Sequence, residues 1–263
     1  MKILYIKSDD KRVQKINNLI EEDFPHLLKE KTPELILISG GDGAMLHAIQ
    51  SFGSLEIPFL GHAMGSLNFL MNNIEIGDLQ RTIKDIENDL ITFNEIQTSK
   101  IRVELLTEKT NKPIYVGSAV NEVVVGSSIL GYHTFILNSK DKTFVNFNIK
   151  GSGLCVSTDL GSTGYNFNLG GDVLPLGSNL WSLSGIVCNR YLKDIIKIDK
   201  LEIGCKCEKS NPTIFLDGID QKIVLREKDK ILLKKGRKTT LYFLNKETFS
   251  SKRLEIISRY RRL

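Results

Sequence analysis

Strand and helix patterns alternate along the first hundred residues. Mostly apolar runs predict strands at residues 2–6, 34–39 and 57–62, because a strand that is covered on both faces needs little polar sequence. Apolar residues at helical spacing predict three helices, with buried faces formed by Val13, Ile16, Leu19 and Ile20, then Met45, Leu46 and Ile49, then Leu79, Ile83, Ile86 and Leu90. This alternation predicts a parallel sheet with helices on its faces, a Rossmann-like α/β domain over residues 1–98.

The pattern changes near residue 99. Short segments rich in β-branched residues follow, separated by turn sequences such as 139–142 and 216–220. The predicted strands are 100–107, 114–126, 132–139, 142–151, 197–207, 213–218, 222–227 and 230–236. They predict a β-sandwich-like all-β domain over residues 99–242. We expect residues 243–263, with a weak helical pattern at 245–260, to pack back on the first domain as part of it.

Composition and charge narrow the class of protein. The chain has 263 residues with 41% hydrophobic and 25% charged, as in globular proteins, and no apolar run reaches the roughly 18–20 residues of a membrane span. The apolar run at the N-terminus is too short for a signal peptide, so we expect a cytoplasmic protein. The net charge of +5 includes one basic cluster at 258–263, which is typical of a solvated end. We therefore expect no nucleic acid and no membrane as partners, and a mildly positive surface suits a polyanionic small substrate.

The cysteines and histidines predict no tightly bound structural metal. Cys205 and Cys207 have C-x-C spacing without a second pair, and the four histidines form no ligand pair. The C-x-C pair is instead predicted to be alternate residues of a strand. All four cysteines are expected to be reduced thiols.

A glycine turn with one acidic residue follows the second predicted strand. Gly40, Gly41 and Gly43 surround Asp42, and a helical pattern begins immediately afterwards. Glycines let the backbone approach a ligand closely, and a helix N-terminus binds phosphate. A carboxylate in such a turn suits a hydroxyl beside the phosphate, whose proton it could accept, or a Mg²⁺ ion. The alternative is a tight turn in which Asp42 is the N-cap. The turn has neither P-loop nor G-x-G-x-x-G spacing.

Two further clusters are candidates for ligand contacts. Asn121 and Glu122 lie inside a strand-like run, where a buried amide or carboxylate is costly unless it is hydrogen-bonded, for example to a base or ribose. An edge strand or a turn is the alternative. Residues 151–171 combine small hydroxyl residues, a G-S-T-G turn and Tyr165, which could bind an adenine ring. A Gly/Ser loop that joins two strands is the alternative there.

Together, and in this order, the three clusters resemble the NAD kinase family. The resemblance covers most of the chain, and the S-T-x-x-G-S-T-x-Y segment is its most specific part. It implies phosphorylation of the 2′-hydroxyl of the adenosine ribose of NAD by ATP or polyphosphate, with Mg²⁺, in a homodimer or homotetramer. GGDG is also similar to a motif of phosphofructokinases and lipid kinases, so a lipid or sugar kinase is one alternative. A sensor that binds NAD or NADP without turnover is another.

The resemblance implies roles for individual residues. Asp42 corresponds to the catalytic carboxylate, and Gly40, Gly41 and Gly43 to the turn on the donor-phosphate side. The implied NAD-binding residues are Phe69, Asn121, Glu122, Ser152, Thr163, Gly164, Tyr165, Asn168 and Val187. Of these, Asn168 and Val187 are placed by spacing only.

Five positions depart from the family pattern. Ser152 stands where the family has aspartate, Asp159 where it prefers proline, and Gly164 where it prefers alanine; Asn68 replaces a glycine and Ala63 a polar residue. The serine removes a charge expected toward the nicotinamide end of the substrate. We therefore predict weaker NAD binding or a changed preference between NAD and NADH.

Overall fold

The computed structural model describes residues 1–64, 68–110, 112–127, 131–196, 200–207, 210–245 and 258. The chain divides into two compact units, Met1–Gln97 with Thr239–Leu263, and Thr98–Lys238. The weak helix expected at 245–260 lies outside the described residues, apart from Asn245 and Ser258.

The first unit alternates strands and helices as its sequence predicts. Its elements are β1 (Ile3–Ile6), α1 (Gln14–Asp23), β2 (Leu35–Gly40), α2 (Asp42–Phe52), β3 (Phe59–Ala63) and α3 (Ile76–Glu87), with 3-10 turns at Lys11–Val13 and Pro25–Leu28. The strands pair in parallel in the order β1-β2-β3, and Leu241 and Tyr242 from the end of the last strand pair with β3. The prediction of a parallel α/β unit is confirmed.

The helices of this unit bury the predicted faces with three exceptions. Buried positions include Ile16 and Ile20 of α1 and Ile83 of α3, which pack in one core with β1 and β2. On α2 the buried stripe runs through Ala48, while Leu46 is half-buried, as is Leu19 of α1. Leu90 is 71% exposed because α3 ends at Glu87, so its place on the α3 face was wrong.

The second unit is rich in β-strands, which confirms the predicted change of class. Its elements are β4 (Asn94–Leu106), β5 (Ile114–Ala119), β6 (Glu122–Gly126), β7 (His133–Ser139), β8 (Phe147–Ser157), α4 (Tyr165–Asn168), β9 (Trp181–Cys188), β10 (Lys193–Ile196), β11 (Lys200–Cys207), β12 (Thr213–Leu216), β13 (Ile219–Val224) and β14 (Lys230–Phe243). β4 begins and β14 ends in the first unit. The strand order is β14-β11-β7-β8-β6-β12-β13; β9 pairs with β8 and β10, and β4 with β14 and β5.

Several strand boundaries differ from the prediction. The run 114–126 is two strands, β5 and β6, because the chain turns at Val120 and Asn121. β8 begins at Phe147 and continues to Ser157, through glycines that the sequence suggested were part of a loop. β9 and β10 were not predicted, because the serines of β9 are buried and interrupt its apolar alternation.

Candidate active site

The glycine turn lies where β2 ends and α2 begins. Gly40 has a φ of 151°, in the region that favours glycine, and a Cβ there would lie 2.9 Å from the Cβ of Ala44. Gly41 takes the N-cap position, and its carbonyl accepts the backbone N–H of Ala44 at 3.0 Å and of Met45 at 3.3 Å. Gly43 is exposed, and a Cβ there would meet nothing within 4 Å. The first turn of α2 therefore has the backbone arrangement that binds anions.

Asp42 is the first residue of α2, and its carboxylate binds a neighbouring segment of chain. Its Oδ1 accepts the backbone N–H of Phe69 at 2.9 Å and of Leu70 at 2.8 Å, and its Oδ2 lies 2.9 Å from the same nitrogen of Phe69. Because Gly41 is the N-cap, the N-cap alternative for Asp42 was wrong. These hydrogen bonds fix the carboxylate and bring Phe69 beside it.

A buried polar network that the sequence reasoning missed supports this turn. His62 of β3 is fully buried; its Nδ1 lies 3.0 Å from Ser39 Oγ, next to Gly40, and its Nε2 lies 3.1 Å from the carbonyl oxygen of Ile74. Burial lowers the pKa of His62, so the ring stays neutral near pH 7. The only indication in the sequence was a histidine at the end of a predicted buried strand. That position does not indicate a role until the hydrogen-bond partners of the ring are known.

Asn72 is a second buried residue that the sequence reasoning missed in this unit. Its Nδ2 donates to the carbonyls of Gly61 and Tyr242 at 3.1 Å each, and its Oδ1 accepts the N–H of Leu244 at 2.8 Å. One side chain thereby ties β3 to the end of β14. A hydrophobic pattern cannot reveal that a polar side chain such as Asn72 bonds the backbone of two strands.

The second unit contains a cavity of about 360 Å³ lined by three predicted site residues. Glu122, Ser152 and Tyr165 share it with apolar side chains, among them Val124 and Phe215. Glu122 is 8% exposed and Ser152 7%. Glu122 Oε2 and Ser152 Oγ have no hydrogen-bond partner among the described residues. Buried polar atoms in that state are costly unless a ligand or water satisfies them, so the cavity has the character of a ligand site.

Glu122 has an unusual ionisation. Burial, and secondly the nearby charge of Asp217, raise its pKa from the ordinary value of 4.5 to about 7. Asn121, its neighbour, also has a buried Oδ1 that lacks a partner among residues the structure describes. The expected pair of polar side chains is therefore present, and the run that contains it breaks into a turn at Asn121.

The S-T segment, residues 157–165, begins at the end of β8. Two short helical turns follow there, at Gly161–Thr163 and Tyr165–Asn168. Gly161 is in contact with the Asn121 backbone, since a Cβ on Gly161 would lie 2.3 Å from the carbonyl oxygen of Asn121. Gly164 lies beside the cavity, and a Cβ there would lie 3.6 Å from Glu122 Oε2. Thr163, between them in sequence, is half-buried. The segment and the N-E pair, predicted separately, thus lie against each other.

Asp159, one of the departures from the family pattern, is buried and hydrogen-bonded to two other parts of the chain. It is 1% exposed, accepts a hydrogen bond from Thr98 Oγ1, and accepts the N–H of Asn179 at 3.1 Å. The carboxylate therefore joins the start of β4 to the loop before β9.

The two residues placed by spacing lie apart from the cavity lining. Asn168 is exposed at the end of α4, whereas the buried asparagine of that helix is Asn166, bonded to Ser182 and Ser184 of β9 at 3.0 and 2.8 Å. Val187 is 56% exposed with a φ of 46°, a conformation that is strained for a β-branched residue. Its neighbour Ile186 lines the cavity. Roles for Asn168 and Val187 stay predictions.

The described residues contain no group of three or more histidine, cysteine, aspartate or glutamate side chains that could hold a metal ion. No helix in the described part of the chain has the length and hydrophobicity needed to cross a membrane.

Comparison with known proteins first identifies a domain family. The family model of the ATP-NAD kinase N-terminal domain matches residues 6–91, which contain the glycine turn and Phe69.

Curated relatives extend the match. The NAD kinase of Rickettsia typhi is 34% identical over 158 residues, which are 60% of this chain and 58% of that protein. The chain therefore covers less than two thirds of that relative's length. The NAD kinase of Natranaerobius thermophilus is 27% identical over 221 residues, or 82% of this chain and 74% of the relative.

Solved structures share the fold. A yeast NADH kinase complexed with NADH superposes with a TM-score of 0.72 at 17% identity, covering 97% of this chain and 86% of that one. An NAD kinase from Archaeoglobus fulgidus in complex with ATP gives a TM-score of 0.65 at 18% identity, with 97% of each chain covered.

Proposed function

We propose that this chain, whose residues 6–91 match the ATP-NAD kinase N-terminal domain, is an NAD kinase, which transfers a phosphoryl group from ATP or polyphosphate to the 2′-hydroxyl of the adenosine ribose of NAD and so forms NADP. The observation that carries the proposal is the Asp42 carboxylate, held on the glycine turn at the start of α2 by the N–H groups of Phe69 and Leu70. A carboxylate held as an acceptor beside an anion-binding helix terminus suits phosphoryl transfer to a hydroxyl.

In the proposed reaction, Asp42 orients the ribose hydroxyl and accepts its proton as the new oxygen–phosphorus bond forms. The bond between the terminal phosphorus and its bridging oxygen breaks in line, and that oxygen leaves with the electron pair as part of ADP or of the shortened polyphosphate. Gly40, Gly41 and Gly43 let the backbone approach the donor phosphates, and the N–H groups of the first turn of α2 stabilise the developing negative charge. Phe69, held by its own backbone bond to Asp42, would contact the sugar that reacts.

The second unit would recognise the dinucleotide. Asn121 and Glu122 present buried polar atoms that adenosine can satisfy, and Tyr165 is an aromatic residue available for stacking. Thr163 and Gly164 would contribute the backbone that reads the adenine edge. Ser152 adds a hydroxyl where a charge was expected. Asn168 and Val187 are the least supported of the proposed contacts.

Mg²⁺ enters the proposal as part of the Mg-ATP substrate. Mg²⁺ commonly binds proteins through one or two carboxylates together with substrate phosphates and water. A single carboxylate beside an anion-binding turn, as at Asp42, fits that arrangement better than it fits a resident metal site. Asp42 is the side chain that would face the ion.

The test is an assay of the purified chain with Mg-ATP and NAD, in which NADP is detected by an NADP-specific dehydrogenase. We expect NADP formation, with polyphosphate and NADH assayed in parallel to define the donor and the acceptor. A panel of lipid and sugar hydroxyls separates this activity from other kinases with a GGDG turn. Dinucleotide binding without any phosphate transfer would replace the proposal with a sensor.

We also propose a homodimer or homotetramer in the cytoplasm, as the family resemblance implies. Exposed apolar side chains of the second unit that could pack in such an assembly include Tyr191 at 79%, Val145 at 63% and Ile219 at 61% exposed. Light scattering after size exclusion gives the mass directly. A monomer at assay concentration with full activity would contradict this part of the proposal.

A further inference from the structure

Asp217 lies in the tight turn between β12 and β13. Its φ is +50°, and Gly218 after it has a φ of +79°. Aspartate and asparagine tolerate this left-handed conformation better than other residues with a side chain. The turn is therefore sharp, and it directs the Asp217 carboxylate back toward the segment between β5 and β6.

The carboxylate of Asp217 accepts three consecutive backbone N–H groups. Oδ2 accepts from Val120 at 2.8 Å, and Oδ1 accepts from Asn121 at 2.6 Å and from Glu122 at 3.1 Å. The contact is reciprocal, because the Asp217 N–H donates to the carbonyl of Glu122 at 3.0 Å. Hydrogen bonds from N–H groups to an ionised carboxylate are among the stronger ones in proteins.

The opposite side of the same segment is held by the S-T segment. The carbonyl of Asn121 accepts the N–H of Thr158 at 2.8 Å, and the carbonyl of Val120 accepts Thr158 Oγ1 at 2.6 Å. The backbone of this turn is thus fixed from both sides. In contrast, Asn121 Oδ1 and Glu122 Oε2 are buried with no hydrogen-bond partner in the part of the chain that the structure describes.

We propose that Asp217 is a positioning residue, which fixes the backbone of residues 120–122 so that the side chains of Asn121 and Glu122 are presented to a dinucleotide. It acts on the ligand only through these two residues. The identity of the ligand rests on the proposed function, whereas the clamp on the backbone does not.

Asp217 also acts on Glu122 by charge. The titratable groups that affect or sense Glu122 are Asp217 from the β12–β13 turn, Cys155 from β8 and Tyr165 from α4. Lys100 interacts electrostatically with Asp217 and partly offsets its charge. The negative charge of Asp217 disfavours ionisation of Glu122, while a ligand that donates hydrogen bonds to Glu122 favours it.

The test variant is Asp217→Asn. Asparagine keeps the size, the tolerance of positive φ and one acceptor oxygen, but it loses the charge and turns an N–H₂ group toward the backbone donors. The matched control is Asp220→Asn in β13, where an exposed carboxylate accepts a local hydrogen bond from the N–H of Lys222 at 2.7 Å.

The first measurement is amide hydrogen exchange by NMR without ligand. In the unmodified protein, the amides of Val120, Asn121 and Glu122 should be protected. In Asp217→Asn they should exchange about tenfold faster or more, with no such change in Asp220→Asn. Unprotected amides in the unmodified protein would overturn the clamp, even if the variant failed to fold.

The second measurement is NAD affinity between pH 5.5 and 8.5, by calorimetry and by KM. Asp217→Asn should weaken binding about tenfold at pH 8, chiefly in KM and with a smaller change in kcat. Affinity of the unmodified protein should rise with pH as Glu122 ionises, and the midpoint should move to lower pH in the variant. Equal KM and an unchanged midpoint would overturn the inference, whereas absence of NAD binding by the unmodified protein would overturn the proposed function instead.

Discussion

Two carboxylates, one in each unit, are held in opposite ways. Asp42 accepts hydrogen bonds from the backbone N–H groups of Phe69 and Leu70, at 2.8–2.9 Å. Glu122 is 8% exposed, and its Oε2 has no hydrogen-bond partner among the described residues. The pKa of Glu122 is raised to about 7, by burial first and by Asp217 second.

The difference suits the two roles that we propose for these carboxylates. A group that takes part in bond making benefits from a fixed position before the substrate arrives, and backbone donors fix it without the ordering of a second side chain. A group that recognises a ligand contributes most to binding when its hydrogen bonds are made only in the complex. The free protein then carries the free-energy cost of the unsatisfied group, and binding removes it. In the first unit the position of the Asp42 carboxylate is fixed by hydrogen bonds, whereas in the second unit the Glu122 carboxylate keeps an unsatisfied oxygen.

The largest expected effect is on turnover in Asp42→Asn. Asparagine Oδ1 can keep both bonds that Asp42 Oδ1 makes, to the N–H groups of Phe69 and Leu70, so the fold should survive. Loss of the proton acceptor should lower kcat about 10²–10⁴-fold, with little change in KM for NAD. Steady-state kinetics and a melting curve measure both quantities.

The control for that variant is Asp78→Asn, which removes an exposed acidic residue from the first turn of α3 in the same unit. It should leave kcat within about twofold, because the helix-dipole contribution at an exposed site is small. Near-normal kcat in Asp42→Asn would remove the base role.

Gly161→Ala tests whether the recognition region is rigid. The added Cβ would lie 2.3 Å from the backbone carbonyl of Asn121, which is itself held on two sides, so neither neighbour can move cheaply. We expect a loss of about 3 kcal/mol in the free energy of unfolding, measured by denaturant titration. Gly77→Ala, where nothing lies within 4 Å, should keep or raise stability. Equal stability of both variants would mean that the S-T segment yields easily.

Glu122→Gln tests the cost of the unsatisfied carboxylate. The folded pKa is about 7 against an ordinary 4.5, so the folded state holds the proton longer, and stability from this group falls as pH rises through that window. In the absence of ligand, Glu122→Gln should therefore be more stable than the unmodified protein at pH 8, by about 2–3 kcal/mol, and no more stable at pH 4. The same variant should bind NAD more weakly.

Glu104 provides a matched contrast for that titration. It is also 8% exposed, but Lys234 and Arg102 lie 2.5 and 2.8 Å from its oxygens and lower its pKa. Its contribution is present above the unfolded pKa and lost as pH falls, so Glu104→Gln should lose stability at pH 7 and little at low pH. The same sign of pH dependence in both variants would contradict the comparison.

The smallest expected effect is that of Ser152→Asp. A carboxylate in the cavity would attract the positively charged nicotinamide ring of NAD. The reduced ring of NADH is neutral and would not be attracted in this way. KM for NAD should fall about tenfold relative to KM for NADH. Ser152→Asn is the control, since it adds similar volume without charge. Unchanged ratios of KM in Ser152→Asp would remove the predicted role of this position.

The class of each unit followed from the sequence because it depends on local periodicity. β2 and β3 are buried on both faces and consist mainly of apolar residues, so their patterns were readable. The same rule failed for β9, where Ser182 and Ser184 are buried and bonded to Asn166. It also failed at Val120 and Asn121, since strand-forming residues continue through a turn that Asp217 stabilises from nearly a hundred positions away.

The sequence by itself determined the chemistry that the chain can offer: a carboxylate among glycines, an amide beside a carboxylate, and a hydroxyl-rich turn with a tyrosine. Those are properties of neighbouring residues. Only the tertiary structure decided that Asp42 binds Phe69 and that Glu122 lies buried near Asp217. Burial, partner and charge state arise from residues far apart in sequence, which no local pattern records, and they give the two carboxylates different environments.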